Sequence, residues 1–373
     1  EFNIPHLTLS FAFFPFMSRP IQAHIDLSAL EHNLCVVRRH APRSRALAVI
    51  KADGYGHGVL RVAQALRKAD GFALLELDAA VRLREAGFQQ GILLLEGFFS
   101  MDELRWIETH RLTTVIHHHE QLAMLAEYRP RHKMDVFLKL NTGMNRLGFT
   151  SEQFPGALKA LRENPGIGQI CLMTHFARAD EAGADESTGI QLTAFNKLAE
   201  GWHLPRSLAN SAAILRYPET HADWVRPGLM LYGASPLPDA TAAQLDLCPA
   251  MTVTSKIIAI QALKAGEGVG YGHIFRAEQP MRVGIVAGGY ADGYPRHAPS
   301  GTPVLVDGKR TRLIGRVSMD MLHVDLNEIG NARVGMPVTL WGKEMPVDEV
   351  ARAAGTVAYE LLCALAPRMP IVT

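Results

Sequence analysis

The sequence predicts a (β/α)8 barrel of the TIM type followed by a C-terminal domain rich in β-strands. Three observations predict it. Short apolar runs recur along the first two thirds of the chain with helical patterns between most of them. Eight such runs can be counted, and beyond about residue 244 helical periodicity fades while turn residues multiply. Strands that alternate with helices form parallel βα units, and eight units can close on themselves. The pattern alone leaves an open doubly wound sheet as the alternative.

The eight runs are 46–51, 72–75, 92–95, 113–116, 135–140, 169–174, 206–209 and 224–232. A helix is expected over 77–87, where apolar residues recur at helical spacing and Gly87 supplies a stop, and another over 120–128. In the second part, 304–306 and 311–314 flank Asp307-Gly308, a strong hairpin signal. Helical periodicity returns there only at 347–354. An early strand at 21–27 precedes every βα unit and can join the β-rich domain. The expected division is therefore 17–244 for the barrel and 245–373 for the β-domain. Residues 1–16, EFNIPHLTLSFAFFPF, lack the basic start of a signal peptide, and Pro5 and Pro15 interrupt them. They read as vector-derived or upstream sequence with Met17 as the natural start; a cleaved export segment is the alternative.

Composition narrows the partners. The 373 residues are 48% apolar and 20% charged, with 38 Lys and Arg against 37 Asp and Glu. No charge run points to nucleic acid or to a membrane surface, which leaves a small molecule. Cys35, Cys171, Cys248 and Cys363 show no Cys-x-x-Cys spacing and read as buried thiols of a cytoplasmic protein. The run His117-His118-His119 raises a metal site, but no matching carboxylate motif accompanies it, and a strand-end loop is the plainer reading.

Barrel enzymes carry their chemistry at the C-terminal ends of the strands. Here the first strand is expected to end in Lys51, followed by a glycine-rich loop, Ala52 to Gly58. An amine in that place is partly desolvated and nucleophilic. A snorkelling lysine beside a flexible loop accounts for it equally well. The fifth strand leads into Lys139, Asn141 and Arg146, the sixth into His175 and Asp180, the seventh into Asn210-Ser211 at a helix start, and the eighth holds Arg226. Two lysines, two arginines, a histidine and an Asn-Ser pair at one barrel mouth exceed what packing requires. A phosphate-bearing, carbonyl-reactive ligand fits them, and pyridoxal phosphate is such a ligand.

The runs VIKADGYGHG (49–58), KLNTGMNRLGF (139–149), THFARAD (174–180), ANSAA (209–213) and VRPGLMLYG (225–233) resemble, in order and spacing, motifs of the alanine racemases. So do VGYG (269–272), GYADGYPR (289–296), GRVSMDM (315–321) and AYELLCALAPR (358–368). The resemblance extends from Met17 to the end. It implies interconversion of L- and D-alanine by two bases in a homodimer with shared active sites, with Lys51 carrying pyridoxal 5′-phosphate. Tyr55, Ser211, Gly228, Leu229 and Tyr359 would hold the phosphate through hydroxyls and backbone amides. Arg226 would face the pyridine nitrogen with His175 behind it, and Arg146 would reach the phenolic oxygen and the substrate carboxylate. Lys139 would be a carbamate, and Asn141 stands where relatives often carry aspartate, a difference expected to alter how Arg146 is held. Tyr271 would be the second base, coming with Met319 and Asp320 from the other chain. Asp180, Tyr290, Arg296 and Arg316 would line a narrow access corridor.

Three rival readings share features with this one. Barrel decarboxylases of basic amino acids use a carboxylate at the ring nitrogen and a different glycine-rich loop, so VRPG and VGYG argue against them. Non-catalytic cofactor carriers lack a β-domain. A racemase of broader specificity differs only in the corridor.

Overall fold

The computed structural model describes residues 19–373, so the expectations for residues 1–16 and for Met17 lie outside the described residues. Strand β1 (Gln22–Ile25) comes first and stands outside the barrel. The helix Leu27–His40 follows, its N-terminus capped by Asp26, whose carboxylate accepts from the Ser28 and Ala29 amides.

Eight parallel strands come next: β2 (Arg45–Val49), β3 (Gly71–Leu74), β4 (Gly91–Leu94), β5 (Thr113–Ile116), β6 (Met134–Lys139), β7 (Ile167–Met173), β8 (Arg206–Asn210) and β9 (Trp224–Arg226). They pair in chain order, and β9 returns to β2 with Arg45 opposite Trp224 and Ala46 opposite Val225. The sheet is a closed barrel, which removes the open-sheet alternative. Helices such as Leu77–Glu85 and His119–Glu127 lie where the apolar spacing predicts them.

Two of the expected strands run too far. The eighth ends at Arg226 rather than 232, because Pro227 has no N–H for the ladder. Its carbonyl accepts from Val49 N–H at 2.9 Å, and Leu229–Tyr232 coils into a 3-10 turn. The first strand stops at Val49, and Lys51 opens a turn instead of closing the strand.

The rest of the chain builds β10 (Met251–Leu263), β11 (Gly268–Val269), β12 (Phe275–Arg276), β13 (Met281–Ala287), β14 (Pro303–Val306), β15 (Lys309–Arg312), β16 (Met321–Asp325), β17 (Pro337–Trp341) and β18 (Ile371–Val372). The long strand β10 is the hub. Its first half pairs with β1 and β17, its second half with β13, and the register shifts between Ile257 and Ala259. Strand β1 also lies parallel to β18, so residues 22–25 are hydrogen-bonded into this sheet although the barrel follows them in sequence. The β14–β15 turn is Asp307-Gly308, both with positive φ (51° and 72°), as a two-residue hairpin turn requires. The helix Ala358–Cys363 has no counterpart in the sequence reading, being too short to show a period.

One apolar core runs from the barrel into the sheet, from Ile50 and Leu229 through Met251 to Val338 and Trp341. A smaller cluster of Val269, Ala277, Met281, Val283 and Ile314 supports the outer part of the β-domain. The cysteines differ from expectation: Cys171 is buried, Cys248 intermediate, and Cys35 and Cys363 exposed. The helices that carry Cys35 and Cys363 turn those positions outward. Among the described residues no helix is long and apolar enough to cross a membrane.

Candidate active site

At the C-terminal mouth of the barrel lies a cavity of about 500 Å3. Lys51, Tyr55, Lys139, Arg146, His175, Ser211, Arg226, Gly228 and Tyr359 all line it, together with Glu96, Phe99, His117 and Asn210. Nine residues named from six stretches of sequence thus meet in one place. Leu229 does not line it and sits buried just behind, opening the 3-10 turn.

Lys51 begins a turn that ordinary L-residues avoid. Ala52, Asp53, Gly54 and Tyr55 all have φ between 50° and 63°, one turn of left-handed helix. Each non-glycine residue in that region costs roughly 1–2 kcal/mol, so the surroundings must impose it. The Gly54 N–H donates to the Ile50 carbonyl, the Gly56 N–H to Ala52 and the Gly58 N–H to Asp53, at 2.8 to 3.0 Å. The Asp53 carboxylate accepts from the Val59 N–H at 2.8 Å. Gly56 is obligatory on two counts, a φ of 74° and the Leu362 carbonyl standing where a Cβ would be. The turn aims Lys51 into the cavity and lays the Tyr55 ring on Tyr232, with centroids 4.5 Å apart. Tyr232 in turn donates to the Val49 carbonyl at 2.9 Å.

Arg226 is 4% exposed at the end of β9. Its Nη1 donates to Ser207 Oγ at 2.7 Å, and its Nη2 to the carbonyls of Thr174 at 2.6 Å and Leu208 at 3.0 Å. His175 Nδ1 lies 3.4 Å from Nη2. No carboxylate pairs with this guanidinium among the described residues. Burial lowers its pKa to about 10, which still leaves it charged at neutral pH. Burial, and then the cations Arg226, Lys139, Arg146 and Lys51, hold the His175 imidazolium well below its ordinary range, so the ring is neutral.

The loop after β7 is held by groups that sequence reading passed over. Gln191 donates to the His175 carbonyl at 3.1 Å and to Thr142 Oγ1 at 3.2 Å, and accepts from the Ala177 N–H at 2.9 Å. Thr142 and Thr174 share a hydrogen bond at 2.7 Å. A helix interior gives no sequence signal for such a clamp. Asn141, which stands where relatives often carry aspartate, makes no hydrogen bond to Arg146 among the described residues. Its amide accepts from the Gly143 and Asn145 amides at 3.2 and 3.0 Å and donates to Asn145 Oδ1 at 3.1 Å, so it shapes the loop backbone and does not hold Arg146.

Lys139 is 8% exposed and makes no ion pair among the described residues. Burial, followed by Arg226, Arg146 and Lys51, pushes its ammonium down to about 8, against a small opposing pull from Glu96. Among the lining residues Glu96 is the single carboxylate facing four cationic side chains. The three histidines divide into separate tasks: His117 Nε2 meets the Glu96 carbonyl at 2.9 Å, His118 caps the helix His119–Glu127, and His119 packs edge-on against Phe149. Among the described residues no group of three or more His, Cys, Asp or Glu is placed to hold a metal ion.

On the phosphate-suited side, Ser211 Oγ accepts from the Gly228 N–H at 2.8 Å, which leaves its own proton to donate. A Cβ on Gly228 would stand 2.8 Å from the Tyr55 hydroxyl, so glycine there keeps a cradle open.

The other named residues lie elsewhere within a single chain. Tyr271 sits between Gly270 and Gly272 in a β-domain turn, 69% exposed and outside the cavity. Met319, 52% exposed, and Asp320 also lie outside it, as do Tyr290, Arg296, Arg316 and Asp180. Several of these are mutually close: the Tyr290 N–H donates to the Ser318 carbonyl at 3.1 Å, and Arg368 pairs with Asp320 at 2.6 Å and with buried Asp292 at 2.8 Å.

Residues 25–236 match the family described as alanine racemase, N-terminal domain, and residues 250–373 match alanine racemase, C-terminal domain. The chain belongs to the alanine racemase family. It is 71% identical over 357 residues to an alanine racemase of Nitrosospira multiformis, covering 96% of this chain and all of that one. An alanine racemase of Nitrosomonas europaea is 61% identical, with 96% and 99% covered. The crystal structure of the biosynthetic alanine racemase from Pseudomonas aeruginosa superposes with a TM-score of 0.93 at 48% identity, covering 95% of this chain and 99% of that one. The alanine racemase of Acinetobacter baumannii gives a TM-score of 0.88 at 40% identity, with the same two shares. For this family member, a closed barrel with a β-rich C-terminal domain is therefore shared architecture, and the likenesses span both parts.

Proposed function

We propose that this chain interconverts L-alanine and D-alanine with pyridoxal 5′-phosphate held on Lys51. The observation that carries this reading is one cavity in which an amine, Lys51, shares the walls with a buried arginine that has no carboxylate partner among the described residues. The residues present fit the cofactor. A cavity of about 500 Å3 suits a small ring with a small amino acid. The open cradle between Gly228 and Tyr55, with the Ser211 hydroxyl beside it, offers neutral donors suited to a phosphate. When bound, the cofactor supplies an electron-withdrawing ring that lets an amino acid release its α-proton.

The chain's own residues then divide the work. Lys51 Nζ takes or returns a proton on one face of the α-carbon. Arg226, fixed by its Nη donations to Ser207 and Thr174, would face the ring nitrogen, and a guanidinium has no lone pair with which to take up a proton and share it with that nitrogen. Electron withdrawal stays modest, which limits side reactions. His175, neutral, accepts from Arg226 and fixes its plane. Arg146 binds the substrate carboxylate.

Tyr271 is the second base, and we place it in the partner subunit's site, because in its own chain it is exposed and outside the cavity. Met319 and Asp320 go with it. The exposed apolar residues Ile274 and Met321 near them suit burial in a two-fold homodimer. Asp180, Tyr290, Arg296 and Arg316 would wall the approach. A cytoplasmic site of action and the division at 244/245 complete the reading. The direct test is incubation of the purified protein with several L-amino acids, measuring D-enantiomer and CO2. D-alanine with no CO2 is expected; CO2 release would favour a decarboxylase instead.

Two consequences concern the cations. Replacement of Arg226 by glutamate places a proton-sharing group at the ring nitrogen, so racemisation should fall while pyruvate formation rises relative to it. Coupled pyruvate assay against D-alanine formation measures the ratio; an unchanged ratio would refute the role given to Arg226.

Lys139 is expected to be a carbamate. The ammonium first loses one proton, and the free amine then adds to CO2 and releases a second, so that a cation becomes an anion beside Arg146. Because its ammonium is pushed down to about 8, the free amine gains as pH rises through 8 and is lost below it. At fixed dissolved 13CO2, a carbamate carbon signal should therefore grow through that window and be missing from Lys139→Ala. An unmodified Lys139 at pH 9 would count against it.

A further inference from the structure

His57 has no part in the mechanism above, yet it is a buried polar side chain packed directly behind it. It is fully buried, and its ring packs on Tyr232 with centroids 4.8 Å apart. Its Nδ1 lies 2.7 Å from the Tyr55 carbonyl and 3.0 Å from the Gly54 carbonyl. Two carbonyl oxygens can only accept, so Nδ1 must carry the proton and Nε2 must be bare. Nε2 is buried with no hydrogen-bond partner among the described residues. A buried, unpartnered nitrogen is costly and is kept only when the rest of the ring repays it. The two carbonyls it holds belong to the left-handed turn, and Ala52, Asp53 and Tyr55 adopt positive φ in that turn. The Gly54 carbonyl also accepts from the His57 backbone N–H at 3.1 Å, whereas the Tyr55 carbonyl, turned inward by the strained backbone, has the imidazole as its donor and would lack one without it. The His57 carbonyl is itself held by Arg61 Nη1 at 2.6 Å, which fixes the imidazole's own backbone.

We infer that His57 is a positioning residue: as the Nδ1–H tautomer it clamps the left-handed turn and thereby sets the direction of Lys51 and the Tyr55 hydroxyl toward the cofactor. This rests on the proposed attachment of pyridoxal phosphate to Lys51. Burial also pushes the His57 imidazolium down to about 4, in keeping with a ring that stays neutral.

The test separates a clamp from simple packing. In asparagine the Nδ2 group stands close to where His Nδ1 is and has two N–H donors, while most of the ring against Tyr232 is lost. In glutamine the amide reaches the Nε2 position, where no acceptor waits. Pyridoxal phosphate affinity of the stripped full-length protein should thus stay within about threefold for His57→Asn and weaken by about tenfold or more for His57→Gln and His57→Leu, as expected for the Tyr55 carbonyl left without a donor. Thermal stability should follow the other order, with His57→Asn no better than His57→Gln. Affinity that tracks stability across the three, or three variants that bind like the parent, would overturn the clamp. Should the leucine variant not fold, the Asn and Gln pair still decides it. Histidine 15N spectra of the parent at neutral pH give a fold-independent check: an Nδ1–H tautomer is expected, and an Nε2–H ring overturns the inference. Borohydride reduction and peptide mapping of the parent identify the cofactor lysine separately. A linkage at Lys51 with indifferent His57 variants sinks only the clamp, whereas a linkage at another lysine sinks both.

Discussion

Lys51→Ala is expected to lose cofactor attachment and racemase activity together, the latter by about 10⁴-fold or more, since a positioned acid–base group alone supplies roughly 10²–10⁴-fold. The cavity holds two amines, so the experiment has a real competitor. Lys139 is buried beside Arg226 and Arg146, and its lowered ammonium pKa makes it nucleophilic too. What separates them is the backbone. Lys51 stands at the start of a turn held in a rare conformation by its amides, by Asp53 and by the stacked Tyr55–Tyr232 pair, while Lys139 ends a regular strand. Borohydride reduction followed by peptide mapping should find the cofactor on Lys51 in the parent and on no lysine in the variant. A reduced, cofactor-bearing Lys139 in Lys51→Ala would transfer the anchoring role to the strand end. Far-ultraviolet circular dichroism should stay the same, because among the described residues the Lys51 side chain makes no ion pair and caps no helix.

The second large effect is a gain of activity from two dead proteins. If each site takes Lys51 from one chain and Tyr271 from its partner, Lys51→Ala and Tyr271→Ala are both inactive alone. In a mixed dimer one site inherits both lesions and the other inherits neither. Free reassortment makes half the dimers mixed, so about a quarter of all sites should work, given a two-fold interface. Co-expression on two tags, with purification of the mixed dimer, should return about half the parental activity per dimer. Were lysine and tyrosine supplied by one chain, every site would carry one lesion. An inactive, folded and cofactor-loaded mixed dimer would therefore exclude the shared site. The physical ground for expecting it is the exposure of Tyr271, 69% in the single chain, on a glycine-flanked turn outside the cavity at the barrel mouth.

Much of this was legible in residue order. The barrel could be read because parallel strands buried on both faces are written as continuous apolar runs, such as Ile92-Leu93-Leu94, and because those runs are spaced by helices. The hairpin at Asp307-Gly308 could be read because so few dipeptides tolerate two positive φ angles. Clustering of Lys51, Lys139, Arg146, His175, Ser211 and Arg226 followed from a rule about strand ends, combined with motif likeness. Strand limits were less secure. At Pro227 and at Lys51 the apolar run continues past the last ladder bond, since hydropathy reports burial and not pairing.

Residue order and its likeness to known motifs determined the fold class, the end of the barrel where the cavity lies and half of the residues that line it, because each depends on local composition and on the spacing of residues along one strand or loop. Only the tertiary structure decided that β1 leaves the barrel to pair with β10 and β18, that Gln191 clamps the His175 loop, that Asn141 shapes a loop rather than holding Arg146, and that His57 faces two carbonyls of a left-handed turn. These depend on partners far apart in the chain or on the sign of a backbone angle. Neither leaves a period or a composition in the sequence, since a hydrogen bond between distant residues is a property of closeness in space.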